Sequence, residues 1–130
     1  GWWRPMVATG GAWFAYDTAY YGNALLQPKV LNTMFPDDTI EVEALKNMGV
    51  GLSGIAFSLL AIALLPIGTQ RLQVGSFLFT AALTLTLACL WLTLSANRML
   101  QLFLYATLYG SFWVSKITTY VLPSEVYRVE

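Results

Sequence analysis

Trp13, Asp17 and Tyr21 stand at four-residue intervals, and Asp17 is the only charged residue between Arg4 and Lys29. On a helix turning about 100° per residue, the three side chains fan over roughly 80° of one face. That face offers an indole N–H, a carboxyl and a phenol, a set of groups suited to gripping a small polar solute. The surrounding residues are apolar, aromatic or small. Where such a stretch crosses a bilayer, Asp17 lies near its middle, and an ionised group there is costly and marks function by default.

Lys116 is a second charge of this kind, with uncharged residues 99–115 before it and 117–124 after it. It falls about 12 Å along the axis from the expected end of its helix. One reading is an amine extended towards an interface. The other is an amine facing the bundle interior, supplying positive charge to an anion or to Asp17. The second is the expectation here, because an unpartnered ammonium at that depth is expensive. Ser115, Thr118 and Thr119 add hydroxyl donors nearby, although such hydroxyls often bond back to their own helix.

A carboxyl beside cationic and neutral donors suits phosphate. At neutral pH phosphate retains at least one proton, and a carboxylate can accept that hydrogen bond. Sulfate has no proton to give, so the same carboxylate repels it, which is selectivity through a repulsive element. Asp17 is also the candidate for carrying a coupled proton.

The elements that must position these groups follow from composition. The chain has 57% hydrophobic and 11% charged residues, against about 25% charged in soluble domains. Seven basic and seven acidic residues cancel, so there is no polyelectrolyte footprint for nucleic acid. Histidine is absent and Cys89 is the only cysteine. A zinc site, a Cys/His nucleophile pair and an internal disulfide are therefore excluded. Cys89 reads as a small packing residue.

Uncharged runs over 47–70 and 72–97, with the segments around Asp17 and Lys116, each approach or exceed the ~20 residues that cross a bilayer. The expected architecture is an all-α, polytopic transmembrane bundle with helices near 5–31, 45–65, 72–94 and 99–122. Pro5 suits a first helical turn, and Trp2, Trp3 and Arg4 suit an interfacial anchor. Residues 32–44, with Pro36, Asp37, Asp38, Glu41 and Glu43, read as an acidic, wet loop. Gly49, Ser53, Gly54 and Ser58 permit close helix approach. The third helix carries no polar group that demands explanation and reads as packing or lipid-facing. Basic residues divide equally, Arg4, Arg71 and Arg128 against Lys29, Lys46 and Arg98, so charge alone gives no orientation. The chain begins at Gly1 without a signal-peptide pattern and stops at Glu130 just past a helix. The expectation is an internal piece of a longer polytopic protein.

The run Gly10-Gly-Ala-Trp13-Phe-Ala-Tyr-Asp17-Thr-Ala-Tyr-Tyr21-Gly22 resembles the seventh transmembrane helix of the phosphate:proton symporters of the major facilitator superfamily, whose pattern is Gly-x-x-Trp-Phe-x-x-Asp-x-x-x-Tyr-Gly. Thr118-Thr119-Tyr120-Val-Leu-Pro123-Ser-Glu125-Val-Tyr127 is similar to the end of the family's tenth helix, Thr-Thr-Phe-x-x-Pro-x-Glu-x-Phe. The stretch Gly68-Thr-Gln-Arg71-Leu-Gln73 resembles a degraded form of its basic link between helices eight and nine. The resemblance implies helices seven to ten of a twelve-helix fold, part of the C-terminal six-helix half. It implies a proton-coupled secondary transporter of inorganic phosphate, working by alternating access with substrate at the midplane. By resemblance Trp13, Asp17 and Tyr21 contact phosphate. The family's Gly-Pro-Asn-x-Thr-Thr run reads Val114-Ser115-Lys116-Ile117-Thr118-Thr119 here, so Lys116 takes the Asn position among the substrate-binding candidates. The implied partners are phosphate, protons, the lipid bilayer and the remaining helices, with no cofactor or metal. The implied setting is the plasma membrane, with Gly1, the Arg71 link and Glu130 cytoplasmic and the 32–44 loop extracellular. Two alternatives remain at this stage: a major facilitator carrier of an organic anion or a sugar, and a non-transporting membrane sensor with a transporter-like body. An enzyme is not expected, because no nucleophile–base pair, metal cluster or phosphate-cradling glycine loop is present.

Overall fold

A computed structural model describes residues 1–127. Four helices make up almost all of it: α1 (Trp3–Met34), α2 (Ile40–Leu64), α3 (Thr69–Leu94) and α4 (Arg98–Val126). A short 3-10 turn, Leu65–Ile67, joins α2 to α3, and there is no strand among the described residues. Arg128 and Glu130, which entered the charge and topology readings, lie outside the described residues.

The helix ends differ from the sequence expectation most at the acidic segment. α1 continues to Met34 and α2 already begins at Ile40. The connection is therefore residues 35–39 and not 32–44. Thr39 is the reason. Its backbone is extended and its hydroxyl accepts from the Val42 N–H, while Glu41 and Glu43 fall in the first turn, where carboxylates are favoured by the helix dipole. Acidic residues that read as loop are the start of a helix. Lys46, one turn further on, pairs with Asp38 and lies over the Phe35 ring, fixing the short connection. At the opposite end Gly68 has φ 113°, a backbone region that suits glycine, and it separates the 3-10 turn from α3.

α4 is the central element, and each of its faces meets a different chemistry. Towards α2 the contact is a pair of notches. A Cβ at Gly54 would overlap the Trp113 indole, and one at Gly110 would overlap the Phe57 ring. Each helix thus offers a glycine to the other's aromatic side chain, the close approach that small residues permit between membrane helices. The Ser53 hydroxyl adds a 2.9 Å bond to the Ala106 carbonyl.

Towards α3 the contact is a ladder of polar side chains. Thr80 and Ser111 hydroxyls lie 2.9 Å apart, the Ser115 hydroxyl donates to Ser76 at 3.0 Å, Gln73 donates to Thr119 at 3.3 Å, and Thr69 donates to Glu125 at 2.7 Å. This corrects the reading of the third helix as free of polar groups that need explaining. Gln73, Ser76 and Thr80 are buried, and buried hydroxyls and amides require partners.

α1 crosses α4 through aromatic rings and meets α2 near its end, where Leu31, Met34, Val50 and Tyr105 pack together and Gln27 donates to Asn47 at 3.0 Å.

The burial pattern is the reverse of a soluble bundle. Among the most deeply buried side chains are Gln101, Thr118, Thr119, Ser111 and Ser115, while Leu25, Leu59, Leu85, Leu92 and Ile55 stand outside. Such an extensive exposed apolar surface needs an apolar solvent. The segments Ile40–Ile67 and Thr69–Leu94 are long and apolar enough to cross a membrane. α1 and α4, at 32 and 29 residues, also exceed the length for a ~30 Å core, but polar groups dilute their hydropathy. Those groups are the ladder on α4 and the site residues on α1 and α4.

Candidate functional site

Helical phase sorts the α1 side chains into an order around the axis. Tyr16 lies innermost, 3% exposed and packed with Leu87, Leu108 and Phe112. Tyr20 and Trp13 come next, against α4. Asp17 follows at the edge of that contact, half-buried, and Tyr21 lies beyond it at 58% exposure. The 100° step places Asp17 between the packed and open faces.

On α4, Tyr109, Trp113, Lys116 and Tyr120 recur at helical spacing and present one face to α1. Two ring contacts fix the register between the antiparallel helices. Trp13 meets Tyr120 edge to face at 4.5 Å, and Tyr20 meets Trp113 at 6.4 Å with planes 83° apart. Within each pair the two residues are equally far from Asp17 and Lys116, four positions for Trp13 and Tyr120 and three for Tyr20 and Trp113, and the pairs lie on opposite sides of that level. Equal rise along both helices then sets Asp17 and Lys116 at one depth.

The two charges do not pair. Among the described residues the sole ion pair is Lys46 with Asp38, and Asp17 makes no hydrogen bond there. The Lys116 amine instead lies 4.6 Å from the Trp113 ring centre and 5.9 Å from that of Tyr20, within cation–π range. Sequence reasoning left Ser115, Thr118 and Thr119 either as donors near an anion or as hydroxyls bonding back to their own helix. In the structure Ser115 and Thr119 belong to the ladder, and Thr118 bonds the Val114 and Ser115 carbonyls of its own helix.

Tyr20 and Trp113 are the residues that sequence reasoning missed. Tyr20 stacks on Tyr16 at 5.5 Å, meets Tyr21, Phe112 and Trp113, and its hydroxyl lies 3.3 Å from that of Tyr109. Its position three residues after Asp17 was the available signal. No group of three or more acidic, histidine or cysteine side chains among the described residues could hold a metal ion.

A helix bundle with hydroxyls and amides inside, apolar side chains outside and two opposite charges level at mid-helix is an integral membrane protein. Its relatives are named for transport. The chain is 25% identical over 138 residues to a Toxoplasma gondii protein named inorganic phosphate transporter PT2, a match covering 98% of this chain. It is 27% identical over 134 residues, 95% of its length, to each of two Schizosaccharomyces pombe proteins named putative inorganic phosphate transporters. In every case the chain spans 23% of the relative's length. No family model and no solved structure matches the chain.

Proposed function

We propose that the full-length protein is a proton-coupled carrier of inorganic phosphate with a major facilitator fold, and that this chain forms its helices seven to ten. Phosphate sits against the α1–α4 seam at mid-membrane. Lys116 supplies positive charge, Asp17 accepts the hydrogen bond of a protonated phosphate oxygen and carries the coupled proton, and Trp13 and Tyr21 give N–H and O–H donors from the same helix. The missing walls of the site come from helices outside this chain, and the working membrane is the plasma membrane, with the 35–39 connection facing outside. The protein moves its substrate without converting it.

One observation carries this reading: Asp17 and Lys116 stand at one depth, unpaired with each other, beside an open face of α1. A proton-bearing anion satisfies both groups at once. The names of the relatives support the choice of phosphate.

The test is uptake of radiolabelled phosphate by the full-length protein in liposomes with an imposed pH gradient. Wild-type protein accumulates phosphate, and excess sulfate does not compete. Asp17→Asn folds normally and loses gradient-driven uptake. Coupled uptake at wild-type rate in that variant, or equal competition by sulfate, defeats the proposal.

A further inference from the structure

We infer that Trp113 and Tyr20 are positioning residues for the Lys116 ammonium: their ring faces hold it off Asp17, so that the two charges remain separately available to one anion. This rests on the reading of the site proposed above and adds to it the device that keeps the empty site from closing on itself.

A lysine stem is flexible, and Asp17 is the acid at its level. Left to itself the amine would swing to the carboxylate, and a substrate anion would have to displace one partner to bind the other. The amine instead lies beside an edge-to-face pair of rings, 4.6 Å from the Trp113 centre and 5.9 Å from that of Tyr20. Away from water, such a face is a stronger cation site than at an exposed surface.

The rings are themselves fixed. Trp113 is seated on Gly54, where no Cβ fits. Its indole Nε1 is buried without a hydrogen-bond partner, so nothing in its surroundings uses the N–H, and what the seat delivers is the ring face. Tyr20 is clamped by the Tyr16 stack and by the Tyr109 hydroxyl. Neither ring can follow the amine, so the amine is the element that moves when an anion arrives.

The full-length protein in liposomes gives two readouts. The first is phosphate uptake against concentration. Tyr20→Leu and Trp113→Leu are expected to raise KM by roughly three- to tenfold, the scale of a lost cation–π contact, with kcat changed less. Tyr20→Phe and Trp113→Phe keep a ring face and restore most of the affinity. In a Lys116→Asn background Tyr20→Leu adds less than about twofold, because the interaction it removes is already gone. Equal losses in both backgrounds overturn the inference.

The second readout needs no transport. Dicyclohexylcarbodiimide activates a carboxyl and, where an amine touches it, leaves as its urea while an amide forms, so mass spectrometry of the product reports contact between Asp17 and Lys116. Cross-linking is expected to rise by about three- to tenfold in the Leu variants, whose amine is free to reach Asp17, and to stay near wild type in the Phe variants. Unchanged cross-linking in the Leu variants overturns the inference. That cross-linking pattern in a protein without phosphate uptake keeps the ring contacts and removes the phosphate reading. Uptake without the pattern does the reverse.

Discussion

In the proposed site Lys116 and Asp17 share one solute, and the sign of the charge at 116 decides what that solute can be. Opposite charges 4 Å apart attract by about 4 kcal/mol at an effective dielectric of 20, before desolvation is subtracted, and like charges repel by as much. Lys116→Glu sets two carboxylates at one level of the bundle and is expected to eliminate phosphate uptake. Lys116→Asn keeps a neutral donor and loses one charge-assisted hydrogen bond, worth roughly 1.5–3 kcal/mol. Uptake then persists with KM raised about tenfold or more. Concentration-dependent uptake by the two variants checks this, and wild-type transport by the Glu variant makes Lys116 an anchor and not a ligand. Asp17 and Lys116 were visible in the sequence as isolated charges in apolar runs, and Trp13 and Tyr21 by their spacing from Asp17. Tyr20 and Trp113 were not. In a chain this rich in aromatics, ring identity carries little signal: Trp113 meets the amine within its own helix, while Tyr20 reaches it through the crossing of two helices more than 90 residues apart.

At the scale of the helix, α4 meets α2 by mutual insertion: Trp113 into Gly54 and Phe57 into Gly110. An added methyl at either glycine must displace the backbone or force the ring out of its seat, and overpacking of this kind costs about 1–3 kcal/mol. Gly110→Ala and Gly54→Ala are both expected to lower the unfolding temperature of the full-length protein. The two should differ in function. Gly110→Ala displaces Phe57, which faces away from the site, and leaves phosphate affinity near wild type in the folded fraction. Gly54→Ala displaces Trp113 and weakens it. Thermal unfolding beside uptake kinetics separates these outcomes, and equal KM values for the two variants would show that the Trp113 seat is packing only. The four helices were readable from uncharged runs, and the small residues around Gly54 from their spacing. The early start of α2 was not, because Asp37, Asp38, Glu41 and Glu43 look alike in composition and only the Thr39 cap divides loop from helix. The α3–α4 ladder was equally hidden. Serine and threonine in an apolar helix bond to their own carbonyls as readily as across an interface, and Thr84 and Thr86 do the former while Ser76 and Thr80 bridge to α4.

Considered whole, the molecule has two kinds of open surface that burial alone does not distinguish. Leu59 on α2 and Leu85 on α3 are 65% and 66% exposed, and Tyr21 on α1 is 58% exposed. The first two lie on the two segments that are long and apolar enough to cross a membrane. Tyr21 lies one helical turn beyond Asp17, on the face that the proposed function gives to further helices, this chain spanning 23% of its relatives' length. A carboxylate is tolerated at membrane depth only where it faces protein or a watery cavity, so under the proposed function the Tyr21 side of α1 is wet for part of the transport cycle while the leucine side stays in lipid. Cys89 is exposed and must first be replaced by serine. Single cysteines can then be introduced at positions 21, 59 and 85 of the full-length protein. A water-soluble maleimide is expected to label Tyr21→Cys and to be slowed by millimolar phosphate, whereas Leu59→Cys and Leu85→Cys react only with a lipophilic maleimide. Aqueous labelling at 59 and 85, with none at 21, would turn the bundle around, place Asp17 against lipid and remove the physical basis of the site.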